Sequence, residues 1–366
     1  MSEVKRLGEK YLQHMINLRE TIHMYPEDGF SEFTTSKIII EELEKLGIKV
    51  QKNVAKTGVV GLIEGKYPGK TVLLRADMDA LKIQEQADVE YKSKIDGMMH
   101  ACGHDGHVAG LLGAAMILNE LKDNLHGNVK LVFQPAEERD GGALPMIEEG
   151  VLENPKVDAA FAAHLWGYLN EGEVHLKEGP MMASPDIFNI KVIGKGGHGA
   201  VPQESIDPIV ITCGRIQGGD CHNVIPNEVE LEGTIRTFNE ETRNWVPKVM
   251  EDLIRGITTS QGAAYEFKYE PKYPALINDK YMTSFAKESL KKVVGEENVF
   301  DLKEPNMGGE DFAYFAQKVQ SAFIFVGIAN NKSEPVIHHN PYFKWDSKNV
   351  GILAQSLSQI AIDYLK

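Results

Sequence analysis

Three histidines, a cysteine and an aspartate stand within eight residues in the segment His100-Ala-Cys-Gly-His-Asp-Gly-His107. Cys102 and His104 are separated by one glycine, so in an extended or tightly turned backbone both side chains can reach a single metal ion. The apolar run Val108–Leu118 follows and predicts a buried helix. We therefore expect a metal-binding cluster at the N-terminus of a core helix, where the partial positive charge favours a thiolate.

Other interpretations of this segment stay open. A single histidine here would more often be a hydrogen-bonded core residue, and a lone buried cysteine only a small hydrophobe. Cys102 could also be the nucleophile of a cysteine hydrolase, with His104 or His107 as its base. Three histidines and one cysteine together favour a metal site, which needs further ligands from distant parts of the chain.

The pair Glu137-Glu138 follows an apolar strand and a proline. Adjacent residues at a strand end point in different directions, so one carboxylate can bind a metal while the other handles protons. A metal lowers the pKa of its bound water towards neutrality, and a nearby carboxylate can take that proton and pass it to a leaving amine. The pair indicates amide hydrolysis, although paired glutamates are also common on solvated helix faces.

Apolar runs predict the strands that position these groups. Three such runs are Thr71–Asp77, Asn128–Gln134 and Ala159–His164. With a predicted helix at 142–149 they give the β-α-β alternation of a doubly wound mixed sheet, in which parallel strands end at one edge. The polar side chains that we expect to meet there are Asp77, Asp79, Cys102, His104, Glu137, Glu138 and His164.

His164 and the pair His338-His339 extend the ligand set. With Cys102, His104 and Glu138, His164 and one histidine of the pair supply five ligands, enough for two metal ions that share a bridging group. One sulfur, one carboxylate and three nitrogens suit Mn, Zn, Co or Ni, and ligand type alone does not choose among them.

The remaining periodicity predicts two domains. Helices are expected at 4–24 and about 35–46, then a hairpin or edge pair at 59–64 and 70–77. After residue 185 the pattern changes to short strands at 188–194, 210–217, 228–238 and 264–270 around an amphipathic helix at 240–258. A helix at 279–294, a strand at 323–327 and a helix at 350–365 follow. We predict a catalytic domain at 1–185 and 297–366, and an inserted α+β lid or dimerisation domain at 186–296.

Composition narrows the class of protein. At 366 residues the chain exceeds one typical core. Its formal net charge of −14 argues against nucleic acid or an anionic membrane as a partner. No apolar run is long enough to span a membrane, and the N-terminus lacks the apolar core of a signal peptide. Three cysteines, an odd number, indicate a reducing compartment, and we expect a cytoplasmic protein.

Together these motifs resemble one family from end to end. The chain resembles the amidohydrolase branch of the dinuclear metallopeptidases, which includes aminoacylase, carboxypeptidase G-type enzymes, bacterial hippurate hydrolases and plant auxin-conjugate hydrolases. The motifs are Pro26-Glu27 with Glu32, Arg75-Ala-Asp-Met-Asp79, His100–His107, Gln134-Pro-Ala-Glu-Glu138, His164-Leu-Trp-Gly167, Gly196-Gly-His-Gly199, Asn223-Val-Ile-Pro226, Gly233-Thr-Ile-Arg236, Met307-Gly-Gly-Glu-Asp-Phe312 and His339-Asn-Pro341.

The resemblance implies a role for each matching residue. It makes Glu137 the general base and implies that His198, Asn223 and Arg236 of the inserted domain hold the scissile carbonyl and the substrate carboxylate. We leave Asp77, Asp79 and Asp105 as candidates that orient the histidines or the ligand loop. The metal ligands that the resemblance implies are Cys102, His104, Glu138, His164 and His339.

One departure from the family concerns the inserted domain. Relatives open it with strand, long crossover helix and strand, in a ferredoxin-like arrangement, whereas here only thirteen residues, 197–209, separate the two strands. A full helix does not fit, because a parallel crossover needs about a dozen residues or more. Either the protein lacks this helix or the sequence omits residues that the protein has, and we favour omission because a bare sheet edge promotes aggregation. A homodimer through this domain is expected only if the domain is complete.

The expected activity is metal-dependent hydrolysis of N-acyl amino acids, of the hippurate or N-acetyl-amino-acid type, or of small peptides with a free carboxylate. In this mechanism Glu137 takes the proton of the attacking water and gives it to the departing nitrogen. The alternatives are a carboxypeptidase acting on short peptides, and a non-catalytic protein that binds metal or peptide on the same scaffold.

Overall fold

The computed structural model describes residues 2–139, 141–193, 197–198, 214–331 and 333–366. The chain forms two compact units. The larger contains Met1–Met181, Ile277–Glu304 and Asp311–Lys366, and the smaller contains Met182–Leu276 and Pro305–Glu310.

The helices and strands lie close to the predicted positions. The helices are α1 (Glu3–Met24), α2 (Phe33–Lys45), α3 (His104–Leu121), α4 (Ala143–Glu148), α5 (Glu240–Ser260), α6 (Lys280–Val294), α7 (Ala313–Ala316) and α8 (Asn349–Tyr364). The strands are β1 (Lys49–Val54), β2 (Gly58–Glu64), β3 (Tyr67–Asp77), β4 (His126–Gln134), β5 (Ala159–Asn170), β6 (Val174–Leu176), β7 (Gly179–Met182), β8 (Ser184–Ile193), β9 (Gly197–His198), β10 (Arg215–Gln217), β11 (Val224–Ile225), β12 (Glu228–Thr237), β13 (Ala264–Glu270), β14 (Leu276–Asn278), β15 (Val299–Asp301) and β16 (Gln320–Ala329). None of these described helices is both long and apolar enough to cross a membrane.

A mixed sheet forms the centre of the larger unit, with strand order β1-β2-β4-β3-β5-β16-β6-β15. Strands β4, β3, β5 and β16 run parallel to their neighbours within this set. The chain runs from β3 through α3 to β4 on one side, and then to β5 on the other side of β3. Strand order therefore reverses between β3 and β5, and ligands bind at such a reversal, beyond the carboxyl ends of the strands.

The predicted hairpin of β2 and β3 is wrong. Strand β4 lies between them and pairs antiparallel with β2 and parallel with β3. Strand β1, which the sequence did not single out, takes the edge position beside β2. The glycine-rich link between β2 and β3 suggested a tight turn, but the parallel crossover through α3 places β4 in the gap.

Burial explains why the central strands are continuous apolar runs. All residues of β3 from Thr71 to Asp77 are buried, so both faces of this strand are covered. Helix α3 is buried along nearly its whole length and packs against α1 and α8. This packing fixes the start of α3, which carries the second half of the His100–His107 cluster.

The smaller unit contains an antiparallel sheet with strand order β10-β12-β8-β13. Helix α5 begins after Asn239, whose side chain accepts a hydrogen bond from the Thr242 N–H. Its Ile254 packs with Ile190, Val192, Val229 and Leu231 in a small core of its own. The predicted strand start at 210, and the short segment that would replace the crossover helix, lie outside the described residues apart from Gly197–His198.

The predicted second domain boundary, at 296, is wrong. The smaller unit ends at Leu276, and α6 belongs to the larger unit. Met282, Ala286 and Leu290 of α6 are buried in the larger core, which makes the helix part of that unit. The smaller unit also takes the segment Pro305–Glu310. Amphipathic periodicity predicted the helix correctly, but periodicity does not tell which core a helix packs against.

Candidate metal centre

The candidate ligands lie in loops, at the start of α3 and inside β5. Glu138 follows β4 and His339 precedes α8. Cys102 and His104 flank Gly103, whose φ of +93° is a left-handed conformation that glycine adopts without strain. His164 was expected at the end of its strand but lies inside β5, which continues to Asn170.

The ligand atoms form two groups that share one sulfur. Cys102, His104 and His164 make the first group, and Cys102, Glu138 and His339 make the second; within each group the candidate ligand atoms lie within 4.8 Å of one another. Cys102 Sγ is 3.5 Å from His164 Nε2, and Glu138 Oε1 is 3.1 Å from His339 Nε2. All five sequence-predicted ligands are thus brought together.

A buried, unbonded nitrogen tests whether these residues fit a cation. His104 Nε2 makes no hydrogen bond. It lies 3.8 Å from both Glu138 Oε1 and Asp77 Oδ2, too far for hydrogen bonds. Two ligand atoms, each about 2.1 Å from one tetrahedral ion, are about 3.4 Å apart. The 3.8 Å separations from His104 Nε2 are therefore closer to those of atoms that ligate one ion than to hydrogen-bond lengths. The set of sulfur, nitrogen and carboxylate donors fits a divalent transition metal.

Hydrogen bonds on the other ring nitrogens direct both imidazoles. His104 Nδ1 lies 3.0 Å from the Asp79 carbonyl oxygen, and His164 Nδ1 lies 2.7 Å from the Leu165 carbonyl oxygen. If each Nδ1–H donates to its carbonyl, each Nε2 keeps a lone pair for a metal. The two rings are therefore oriented by the backbone that carries the site.

The pKa shifts show an excess of negative charge. Burial would lower the pKa of His104, but Asp77, Asp79 and Glu138 outweigh burial and raise it to about 10. Burial and the charges of Glu138 and Glu137 raise the pKa of the Cys102 thiol. Burial is the larger cause for Cys102, and nearby carboxylates add to its shift and dominate that of His104, because they favour added positive charge.

Asp79 organises the glutamate pair. Its Oδ1 accepts a hydrogen bond from the Glu137 N–H at 3.1 Å, and its Oδ2 accepts one from the Glu138 N–H at 3.0 Å. Glu137 is 6% exposed. Its carboxylate belongs to a further group with His104 and Glu138. This geometry places Glu137 beside the two ligand groups without making it a member of either.

Asp77 belongs to a buried ion-pair network that the sequence only partly indicated. Arg75 donates to Asp77 Oδ2 at 2.6 Å, to Asp311 Oδ1 at 2.9 Å and to Gln134 Oε1 at 2.9 Å. Asp77 Oδ1 lies 2.5 Å from His107 Nδ1. Arg75, Gln134 and Asp311 were quoted only as parts of motifs, because no spacing rule connects residues so far apart in the chain.

His107 fails the requirement for a base acting on Cys102. Its Nε2 accepts a hydrogen bond from the Leu165 N–H at 2.9 Å, and its Nδ1 faces Asp77. Both ring nitrogens are occupied, so this ring has none left for the thiol. His104 also faces Asp79 through Nδ1, and the ring nitrogen at 3.5 Å from Sγ belongs to His164. The cysteine hydrolase interpretation therefore has little geometric support.

Asp105 does not orient the candidate ligands as expected. Its Oδ2 lies 2.7 Å from Arg19 Nε and 2.8 Å from His23 Nδ1, on the side of α1. Burial would raise the pKa of Asp105, but Arg19 and His23 outweigh burial and lower it. Asp105 therefore ties α3 to α1 behind the site.

The predicted substrate residues His198, Asn223 and Arg236 all lie in the smaller unit. The backbone of His198 pairs with that of Val224, which follows Asn223. Asn223 is exposed, and its Oδ1 accepts from the Cys221 thiol at 2.9 Å. Arg236 is exposed on β12 opposite Pro185. The structure thus brings the backbones of two of the three residues close together, and their roles stay predictions.

Comparisons with known proteins place the chain in a family. The model of peptidase family M20/M25/M40 matches residues 73–361. The chain belongs to this family. A putative amidohydrolase of Bacillus subtilis, YhaA, is 40% identical over 388 residues, covering 99% of this chain and 97% of the relative. The N-acetylcysteine deacetylase of the same organism is 38% identical over 377 residues, covering 96% and 97%.

A solved structure is similar as well. The B. subtilis YXEP protein, a dinuclear metal binding peptidase of the M20 family, has a TM-score of 0.85 and 37% identity, covering 98% of this chain and 99% of that chain. The M20 membership, the mixed α/β fold and the amide-hydrolysing, metal-dependent enzyme class that the sequence predicted are confirmed. The residue roles and the identity of the metal stay predictions.

Proposed function

We propose that this protein hydrolyses the amide bond of N-acyl amino acids and releases a carboxylic acid and a free amino acid. The observation that carries the proposal is the pair of ligand groups that share Cys102, with the Glu137 carboxylate beside them. A relative named N-acetylcysteine deacetylase supports the substrate class. The ligands would be Cys102, His104, Glu138, His164 and His339.

Different residues would have different roles at the scissile bond. Two divalent ions held by the ligand groups would lower the pKa of water and polarise the acyl carbonyl. Glu137 would accept the proton of the attacking water and then donate it to the departing nitrogen. Asp79 fixes the Glu137 peptide, so the carboxylate is positioned before substrate arrives. His198 and Asn223 would hold the carbonyl, and Arg236 would bind the substrate carboxylate in bidentate fashion.

The test of this proposal is Glu137→Gln, assayed with N-acetyl- and N-benzoyl-amino acids and with short peptides after Mn, Zn, Co or Ni is added. We expect metal content close to that of the wild type and turnover reduced to below about a tenth, because the amide cannot accept the proton. Turnover above that level would refute the base assignment.

Metal removal from the wild-type enzyme tests the alternative in which Cys102 is a nucleophile. EDTA should abolish activity and added metal should restore it, whereas activity that is indifferent to chelator would favour Cys102 as a nucleophile. The same substrate panel separates an aminoacylase from a carboxypeptidase. Release of no amino acid from any substrate with any metal would favour a non-catalytic binding protein.

The compartment and the assembly belong to the proposal too. Cys102 and Cys221 are free thiols, which supports a reducing compartment such as the cytoplasm. A homodimer through the smaller unit is proposed only for a protein that has the complete inserted domain.

A further inference from the structure

Three consecutive peptide N–H groups around the proposed base point at two buried carboxylates. Asp79 accepts from Glu137 and Glu138, as described above. The Ala136 N–H donates to Glu32 Oε1 at 2.9 Å. Ala136 has a φ of +53°, a left-handed conformation that residues with a side chain adopt rarely. The backbone just before Glu137 is thus held in an unfavourable conformation, and such a conformation persists only where its surroundings determine it.

Glu32 is itself fixed from its other side. Its Oε2 accepts from the Thr57 hydroxyl at 2.6 Å. The Ser36 hydroxyl lies within hydrogen-bond distance of the carbonyl oxygens of Glu32 and Thr57 and donates to one of them. The Glu32 side chain is fully buried. Each carboxylate oxygen of Glu32 therefore has a partner. One partner is Ala136, in the loop of residues 135–138 that carries the proposed base (the base loop), and the other is Thr57, between β1 and β2.

The loop that carries Glu32 lies directly against the base loop. A Cβ added at Gly29 would come within 2.9 Å of Ala136 Cβ and 3.0 Å of Ala136 Cα. The Ala80 N–H donates to the Glu27 carbonyl oxygen at 2.8 Å, which joins the same loop to the residue after Asp79. Residues 27–32 thus support both carboxylates that hold the three peptide groups.

We propose that Glu32 is a positioning residue for catalysis, which holds the Ala136 peptide in its left-handed conformation and thereby aims the Glu137 carboxylate at the reacting water. This inference rests on the proposed function, since it assumes that Glu137 is the base. Glu32 belongs to neither ligand group and acts only through the backbone of the residue before the base.

Two variants of Glu32 distinguish the effect of its side-chain length from the effect of its negative charge. Glu32→Asp keeps the charge, but its shorter side chain cannot reach both Ala136 and Thr57. Glu32→Gln loses the charge but keeps the length, because its amide oxygen can accept from Ala136 and its amide N–H can donate to the Thr57 oxygen. Assays belong at pH 8, because burial and the nearby Asp79 raise the pKa of Glu32 to about 7 and the wild-type carboxyl is then ionised.

Glu27 provides the matched control in the same loop. Its carboxylate accepts from the Thr34 N–H at 2.8 Å and from the Thr35 N–H at 2.9 Å, so it caps α2. Glu27→Asp makes the same chemical change in a carboxylate that caps α2, and it leaves unchanged the backbone carbonyl of residue 27 that accepts from Ala80.

We expect Glu32→Asp to lower kcat by about tenfold to a hundredfold with KM and metal content within twofold of the wild type, because small misplacements of a catalytic group cost rates of that order. Glu32→Gln should keep kcat within about threefold, and Glu27→Asp should lower Tm but leave kcat unchanged. If Glu32→Asp does not fold, Thr57→Val removes the hydroxyl that anchors Glu32 and should lower kcat by about threefold to tenfold at constant metal content.

Several results would overturn the inference. They are an unchanged kcat in Glu32→Asp or in its substitute Thr57→Val, a larger loss in Glu32→Gln than in Glu32→Asp, an equal loss in Glu27→Asp, or a loss explained by missing metal. Glu137→Gln is measured in parallel. If that variant is inactive while Glu32→Asp is fully active, only the positioning role fails. If Glu137→Gln stays active, the assignment of Glu137 as the base fails, and the positioning role fails with it. If the wild type releases no amino acid, the proposed function itself fails.

Discussion

Asp105 and His104 are neighbours in the sequence but face opposite surroundings. Successive residues of an α-helix are rotated by about 100°, so two adjacent side chains at the start of α3 cannot both face the ligand groups. His104 faces them, and Asp105 faces Arg19 and His23. His107, three residues on from His104, returns to the same face, with ring centroids 5.3 Å apart. Proximity in sequence correctly predicted the cluster but could not assign Asp105.

Single residues could be predicted where the type of side chain matches a chemical need. The clustered cysteine, histidines and glutamates indicated a metal site, the family resemblance implied which five are ligands, and the structure brings these five residues together. Arg75, Gln134 and Asp311 could not be assigned a role this way, because a buried ion-pair network depends on which distant segments meet in three dimensions.

Arg236→Ala is the residue-scale prediction for substrate binding. Loss of the guanidinium should raise KM for N-acyl amino acids several-fold or more, with a smaller effect on kcat, because a bidentate ion pair to the substrate carboxylate is lost. Steady-state kinetics measure this change. Arg255→Ala removes another exposed arginine of the smaller unit, one paired with Asp252, and should leave KM unchanged. An unchanged KM in Arg236→Ala would place the carboxylate anchor elsewhere.

At the scale of the element, periodicity predicted most helices and strands, but pairing was less predictable. The link between β2 and β3 is short and rich in glycine, which locally favours a hairpin. The parallel crossover through α3 overrides that local preference, because it brings β4 back between β2 and β3, where it pairs with both. Strand pairing is a property of the whole sheet, so short windows of sequence do not determine it.

The segment between β3 and α3 is anchored by a buried histidine of α1. His23 Nδ1 lies 2.8 Å from Asp105 of α3, and His23 Nε2 lies 3.3 Å from Glu85 of that segment. Burial would lower the pKa of His23, but attraction to Asp105 and hydrogen bonds to Asp105 and Glu85 outweigh burial and raise it above 6.5. Arg19 opposes this shift, and the rings of Tyr91 and His100 also face His23.

A pH dependence of stability follows for His23. A raised pKa in the folded state means that protonation stabilises the fold, so this contribution is complete below pH 6.5 and is lost as pH rises through the raised pKa. The difference in the free energy of unfolding between wild type and His23→Gln should therefore shrink as pH increases from 6 towards 9. Denaturant unfolding at several pH values measures it.

The exposed His222 is the control for this experiment. His222→Gln removes an exposed histidine of the smaller unit and is measured in parallel, and contributions from the candidate ligand histidines cancel because all three proteins share them. A wild-type minus His23→Gln difference that does not change with pH would show that His23 has no charged role.

At the scale of the whole molecule, the relatives bear on the short segment of the inserted domain. The alignment with the amidohydrolase YhaA spans 388 residues, whereas this chain has 366, so at least 22 aligned positions have no residue here. A missing crossover helix is in accord with that difference. The location of the gap and the oligomeric state stay predictions.

Mass measurement of the native protein tests the two explanations of the short segment. If residues are omitted from the sequence, the intact mass should exceed 40.7 kDa, and we expect this outcome together with a dimer in size-exclusion chromatography with light scattering. A mass equal to 40.7 kDa would establish a true deletion. Recombinant protein made from the 366-residue sequence is the calibrating control.

The segment Pro305–Glu310 belongs to the smaller unit although the chain has already returned to the larger one. The Ala183 N–H bonds the carbonyl oxygens of Asn306 and Gly308, and Gly309 packs against Pro185 and Tyr273. Residues 182–276 are therefore synthesised before the segment 305–310 that packs with them. A fragment cut at 276 would lack that segment, so an excised smaller unit should include residues 305–310, supplied through a linker.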